Sequence, residues 1–495
     1  MKKASVFSFL KLKRLIVPIL LLIASAPEAA GTLTVDAAKA GIKGDGTTLN
    51  TAAIQQAIDQ IGRKGGGRLV FPAGRYLTGS FEMRSNVEIH LGQDAVLLGS
   101  TNPDDYRELD MGLDTDDARK DNSRQALVIA YKTENIALTG CGTIDGNGLQ
   151  LALNIDSLHY IGERIDPNYN QRRHRPGETA RPKLFLMAEC KGIRVEGLHL
   201  KNSACWGLTF DLCQQVTLDS LSILNRAYWN NDGIDLTDCR HVSVSHCSIN
   251  AADDGICLKS YHTGACCDDI SISDCDIISS ASAVKFGTAS WGGFRNVAID
   301  DIRVKDTFRS AIAIESVDGG AIDSIRVSRI HAVNTGNPIF IRLGHRAGAH
   351  PGSIRNIEIT DFYCEVPFGR PDIDYDLRGP EVDYFHNPMP CVISGIPGHR
   401  IENVTIRRAE IVYPGRASKG MAYVPLSRVK DIPEQISKYP EFTMFGEMPA
   451  WGFFIRHVDG ITFDNVRLRT VESDFRPPYV LCDVEHAIIP QDFAP

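Results

Sequence analysis

Apolar residues recur in register along most of this chain, and that recurrence constrains the fold more than any other feature. Ile193, Val216, Val242, Ile270, Val297, Ile325 and Ile357 form one column. Val195, Leu218, Val244, Ile272, Ile299, Val327 and Ile359 form a second, two residues further on. Two more columns run through Leu198, Leu221, Cys247, Cys275, Ile302, Ile330 and Phe362, and through Leu200, Ile223, Ile249, Ile277, Val304, Ala332 and Cys364. A spacing of two marks strand, and successive copies lie about 23–32 residues apart. A unit that short has room for strands and turns but not for a helix. Stacked units of this kind make an all-β solenoid, a right-handed single-stranded parallel β-helix. Solenoids grow by adding coils, so 495 residues need not divide into several globular domains.

A further strand falls in register in each coil. It contains Leu208, Ile234, Ile256, Val284, Ile312 and Ile339, then Phe210, Leu236, Leu258, Phe286, Ile314 and Ile341. The residues between them, Thr209, Asp235, Cys257, Lys285, Ala313 and Phe340, point outward by strand alternation. The turn before this strand carries Trp206, Asp232, Asp254, Ser282, Ser310 and Asn337. A polar row on a stacked sheet forms a surface groove.

The ends of the chain read differently. Lys2, Lys3, Lys11, Lys13 and Arg14 precede an apolar run from Leu15 to about Ala24 and small residues up to Gly31. That pattern is expected to be a signal peptide over residues 1–30, with export to the periplasm or the extracellular space. Residues 31–495 are then one β-helix domain, with no membrane span in the mature chain. Ala53, Ile54, Ala57 and Ile61 are spaced as in a helix, which Gly65-Gly66-Gly67 stops, and this helix is expected to cap the solenoid. Long loops break the period at about 146–183, 366–390 and 413–449. The formal charge of −8 disfavours nucleic acid as a partner. Thirteen cysteines are an odd number at spacings unlike a zinc site, and several stand in columns, as core fillers would.

Two turns stand out. Asn230-Asn231-Asp232-Gly233 and Asp253-Asp254-Gly255 lie one coil apart. Neighbouring strands are about 4.7–4.9 Å apart, so Asp232, Asp253 and Asp254 should gather in one patch. Hydrolysis of a glycosidic bond needs a protonated acid for the leaving oxygen and a carboxylate that activates water or attacks. Crowded carboxyls keep at least one proton near neutrality. Asp and Gly also favour tight turns, but two such turns in register point to chemistry.

With these motifs the chain resembles glycoside hydrolase family 28, the polygalacturonase and rhamnogalacturonan hydrolase family. The family's N-T-D turn resembles Asn230-Asn231-Asp232, and its D-D turn resembles Asp253-Asp254. The resemblance extends from about Thr32, and the segments SAVKFGT, AIAIESVDGG, PIFIRLGHR and YPEFTMFGEMPAWGFFIRH place it in a bacterial branch. It implies an inverting hydrolase with no metal and no cofactor. Asp253 would be the general acid, Asp232 and Asp254 would activate water, and Asn230 would help hold the sugar. The substrate implied is a pectic, uronate-rich polysaccharide or oligosaccharide. Two motifs depart from the family: Ser282 stands where its G-H-G turn has histidine, and Ala313-Ile314-Glu315 replaces its R-I-K strand. An ordinary endo-polygalacturonase is therefore not expected. Ser282, Glu315, Lys259, Lys285 and Arg342 are the candidate substrate-binding positions, the three cations pairing a uronate carboxylate. The competing reading makes those cations structural partners of Glu315 or Asp235. The carboxy-terminal loops would wall one end of the groove, favouring exo action. Two other classes stay open: a polysaccharide lyase on the same fold, using Lys285, and a non-catalytic glycan-binding β-helix.

Overall fold

The computed structural model describes residues 33–109, 123–371 and 389–489. The expected signal segment and most of the 366–390 loop lie outside the described residues. From Thr34–Asp36 to Tyr479–Ile488 the strands pair in parallel, coil upon coil, as a parallel β-helix. The register is that of the sequence columns: Ile193 pairs with Val216, Val216 with Val242, Val242 with Ile270 and Ile270 with Val297. Their side chains join one continuous buried core. Each buried branched aliphatic contributes about 1.5–3 kcal/mol, so the columns dominate the stability of the stack.

Each full coil contributes to three sheets. The first contains Leu208–Asp211, Ile234–Thr237 and Ile256–Ser260. The second contains Gln214–Asp219 and Arg240–Ser245, and the third Ser222–Asn225 and Ser248–Ala251. Between the second and third sheets the chain turns at one residue in the left-handed region: Gly197, Ser220, His246, Asp274, Asp301, Arg329, Asp361 and Arg408, with φ from 47° to 72°. That corner lets residues three apart, such as Val195 and Leu198, both face the core. The expected strand–turn–strand unit thus resolves into two sheets meeting at this corner.

The amino-terminal helix α1, Thr51–Arg63, buries Ile54, Ala57, Ile58 and Ile61 against the first strands. A second helix, α2, Gly148–Tyr160, lies within the 146–183 insertion, where the broken period gave the expectation of a loop. It buries Leu151, Ala152 and Ile155, a helical spacing masked by the exposed Leu149 and Leu153. All thirteen cysteines are unpaired. Cys213, Cys239 and Cys267 stack, each thiol donating to a carbonyl of the preceding coil, at Met187, Phe210 and Leu236.

Candidate active site

The turns from the third sheet into the first carry the aspartates. In the Asp232 turn, Asn231 is fully buried, and its amide donates to the carbonyls of Ser203 and Cys205 at 3.0 and 2.7 Å. Asn225 donates to the Asp232 carbonyl at 2.8 Å. The glycine after each aspartate is required by close approach. A Cβ on Gly233 would stand 2.4 Å from the Gly255 carbonyl, and one on Gly255 2.5 Å from Ile277 Cγ2. The two turns therefore stack directly, with the Gly233 N–H donating to the Asp254 carbonyl at 3.0 Å.

Stacking brings carboxylate oxygens of Asp232, Asp253 and Asp254 within 4.8 Å of one another. All three residues are only 3 to 4% exposed. Lys259 Nζ lies 3.0 Å from Asp232 Oδ2 and also binds Asp235. Lys285 Nζ lies 3.1 Å from Asp254 Oδ2, while the Ser282 N–H donates to Asp254 Oδ1 at 3.0 Å. Burial alone would push the Asp254 carboxyl up, but Lys285, Arg309 and Lys259 outweigh it and hold it below its ordinary range. Burial would likewise lower both lysines. Asp232 and Asp235 keep Lys259 well above its usual value, and Asp254 and Tyr439 do so for Lys285. Both are ammonium ions at neutral pH.

Two buried carboxyls flank the trio. Burial and the charge of Asp232 push Asp235 up to about 8, against Lys259. Burial pushes Glu315 up to about 8, with Lys285 opposing and Asp254 adding to the rise. On the Asp235 side the Trp206 ring packs under two ammonium groups, Lys259 at 3.8 Å and Lys183 at 4.5 Å from its centroid. The trio's three oxygens also have the spacing of a divalent-cation site, as do a carboxylate oxygen each of Asp459 and Glu485 with a ring nitrogen of His486 at the carboxy-terminal end. In the trio, however, two oxygens already face ammonium groups.

The expected site residues are distributed as follows. Asp232, Asp253, Asp254, Lys259, Ser282 and Lys285 come together. Ser282 acts through its backbone, on Asp254. Asn230 lies beside them, but its side-chain oxygen accepts from Arg181 at 2.7 Å. Glu315 is 2% exposed, beneath Lys285. Arg342 does not reach the groove surface. It is fully buried and donates to Ser394 Oγ and to the carbonyls of Gly395 and Glu434, because the 413–449 loop lies over it. The periodicity locates its rung but carries no information about that loop.

Other residues at the site were not expected. Arg181, from the 146–183 insertion, is buried and donates to the carbonyls of Ala204 and Trp229 at 2.7 and 2.6 Å as well as to Asn230. It fixes the turn that presents Asp232. From the carboxy-terminal loop, the Tyr439 hydroxyl lies 3.1 Å from Lys285 Nζ, and Glu441 lies 2.9 Å from Arg309 Nε. Trp206 carried a signal, being in register with Asp232. Tyr439, 154 residues from Lys285, carried none.

Residues 68–364 match the model of glycosyl hydrolases family 28. A probable polygalacturonase of Vitis vinifera is 26% identical over 316 residues, 62% of this chain and 56% of that protein. An exo-poly-alpha-D-galacturonosidase of Dickeya chrysanthemi is 28% identical over 246 residues, 44% of this chain and 40% of that one. The chain thus spans about half the length of these curated relatives. The solved family 28 exopolygalacturonase of Yersinia enterocolitica superposes with a TM-score of 0.68 at 16% identity, covering 93% of this chain and 79% of that one. The exopolygalacturonase of Thermotoga maritima gives 0.60 at 21% identity, covering 77% and 87%. The family match spans both aspartate turns and the lysines that face them, and the chain belongs to glycosyl hydrolases family 28.

Proposed function

We propose that the chain is an exported glycoside hydrolase that releases galacturonate or a related uronic sugar from the end of a pectin-like chain. The observation that carries this reading is the aspartate trio, with oxygens within 4.8 Å on adjacent rungs and lysines facing two of the three. Three carboxyls this close share protons, so one can serve as acid while the others act as bases. Asp253 gives its proton to the glycosidic oxygen. Asp232 and Asp254, each beside an ammonium group, hold a water and remove its proton as it attacks the anomeric carbon. Such direct attack inverts that carbon. The spacing is shorter than the roughly 6.5–9.5 Å of a two-carboxylate inverting site. Inversion therefore rests on family membership and on a water held by a pair of carboxylates.

Exo action is supported by the carboxy-terminal loop, whose Tyr439 and Glu441 stand against Lys285 and Arg309 beside the trio. The names of the Dickeya, Yersinia and Thermotoga relatives agree with it. Elimination by a lysine base is disfavoured, because Lys259 and Lys285 are both held as ammonium ions. The test is product analysis on polygalacturonan and rhamnogalacturonan fragments, by mass and ultraviolet absorbance together. A saturated monosaccharide gaining one water is the expected product. Unsaturated, absorbing products would hand the reaction to a lyase, and a random ladder of oligomers would remove the exo assignment.

A further inference from the structure

The same edge of the solenoid carries a second surface with the chemistry of a sugar-binding platform. Phe368, Tyr423 and Phe475 are 43, 51 and 48% exposed; Tyr160 and Tyr439 are exposed too, at 89 and 49%, but stand elsewhere on the surface. The first three are gathered. The Tyr423 and Phe475 rings lie 6.2 Å apart at 43°, and Arg416 stands over Phe368 at 4.2 Å. Lys419 Nζ lies 5.0 Å from the Tyr423 centroid. The segments are strapped together by backbone bonds, Arg416 N–H to the Ser473 carbonyl at 3.0 Å and Phe475 N–H to the Ala417 carbonyl at 2.7 Å. The segments bearing Arg416 and Phe475 are therefore held side by side.

Phe368 follows Ser353–Glu365, Arg416 and Tyr423 follow Ile401–Tyr413, and Phe475 precedes Tyr479–Ile488. All lie on connections from the third sheet to the first, the edge that carries the aspartates. Backbone and side-chain bonds trace the rungs from Asp254 through Ser282, Ser310, Asn337, Pro390 and Gly452 to Pro478. Phe368 lies on the connection four rungs from Asp254, Tyr423 on the fifth and Phe475 on the sixth, roughly 20–30 Å at the strand spacing of a sheet. The segment bearing Tyr439 and Glu441 stands at the aspartate end of the 413–449 loop's span, so the surface lies outside the groove.

We propose that Phe368, Tyr423 and Phe475, with Lys419 and Arg416, form an accessory binding surface for an acidic polysaccharide chain. Exposed aromatic side chains suit the C–H faces of pyranose rings, and the two cations suit carboxylates carried by the same sugars. Arg416 is also paired with Glu472 at 2.7 Å, so Lys419 supplies the cation with the greater freedom to turn toward a ligand. A second site on one body raises the effective concentration of the polymer at the first. The identity of the polymer rests on the substrate class proposed above; the existence of the surface does not.

The test is native electrophoresis of the full chain carrying Asp253→Asn, through gels containing polygalacturonate or neutral dextran. Polygalacturonate is expected to retard it and dextran to leave it unchanged. Adding Tyr423→Ala with Phe475→Ala should remove most of the retardation. In the active chain the same pair should lower turnover of the polymer severalfold and leave turnover of a short oligogalacturonide unchanged. Undiminished retardation of the pair, absence of retardation in the parent, or equal retardation by dextran would overturn the proposal. So would loss of short-substrate turnover, which would place the effect in the groove or the fold. A chain that cleaves no uronate polymer, yet is retarded through Tyr423 and Phe475, would sink the catalytic reading and leave this surface standing.

Discussion

The two flanks of the aspartate trio are built alike from the solenoid and differently from the loops. On each, a lysine of the first sheet faces one carboxylate of the trio, Lys259 at Asp232 and Lys285 at Asp254. On each, a buried carboxyl stands behind the lysine, Asp235 on one side and Glu315 on the other. The Lys259 flank is closed by residues near it in the stack, Trp206 and Lys183, and its turn is fastened by Arg181. The Lys285 flank is closed from far along the chain, by Tyr439 and Glu441. The rungs supply the carboxylates and the lysines that face them, and the loops close over the two flanks.

The difference can be broken first at the lysines. Lys259 faces two buried carboxyls, Asp232 and Asp235, so Lys259→Met should destabilise the fold by about 3–5 kcal/mol, read from denaturant unfolding. Lys285→Met should cost less, because Arg309 and Lys259 also act on Asp254. Equal losses would contradict the asymmetry. The next effect is at Arg181. Arg181→Lys keeps the charge but loses the fork that binds Ala204, Trp229 and Asn230. Displacement of Asp232 should lower kcat by about 10–10²-fold with KM little changed. A change in KM alone would instead make Arg181 part of the binding surface.

A pH experiment sharpens the comparison at Glu315. Its folded value of about 8 lies above that of an unfolded glutamate, near 4.3. Stability from this group is full below the unfolded value and is lost as pH rises through the folded one, because the unfolded chain ionises first. Glu315→Gln should therefore gain stability relative to the parent between about pH 5 and 8. A parallel pH dependence of the two proteins would show that Glu315 is ionised in the fold. The smallest effect is expected at Tyr439→Phe, which removes one contact to Lys285 and should raise KM a few-fold without changing the melting temperature.

Much of this was legible in the sequence for a physical reason. Inward positions of a parallel solenoid must be apolar and in register, so the columns through Ile193 and Val195 gave the stack and the row of turns in front of the groove. The same register gave Asp232, Asp253 and Asp254. The corner at Ser220, His246 and Asp274 was hidden, because a left-handed residue can be of several types and leaves no column. Helix α2 was hidden by the exposed Leu149 and Leu153. Arg342 was misjudged and Tyr439 missed for one cause: a repeat gives a residue's rung and face, but not the loop that folds over it.

Asp253 is the residue on which hydrolysis by the trio most directly depends. Asp253→Asn, assayed on the substrate that product analysis identifies, should lower kcat by about 10²–10⁴-fold or more while the melting temperature stays that of the parent. Turnover within a few-fold of the parent, in a protein that still folds, would contradict the assignment of the trio as the hydrolytic machinery.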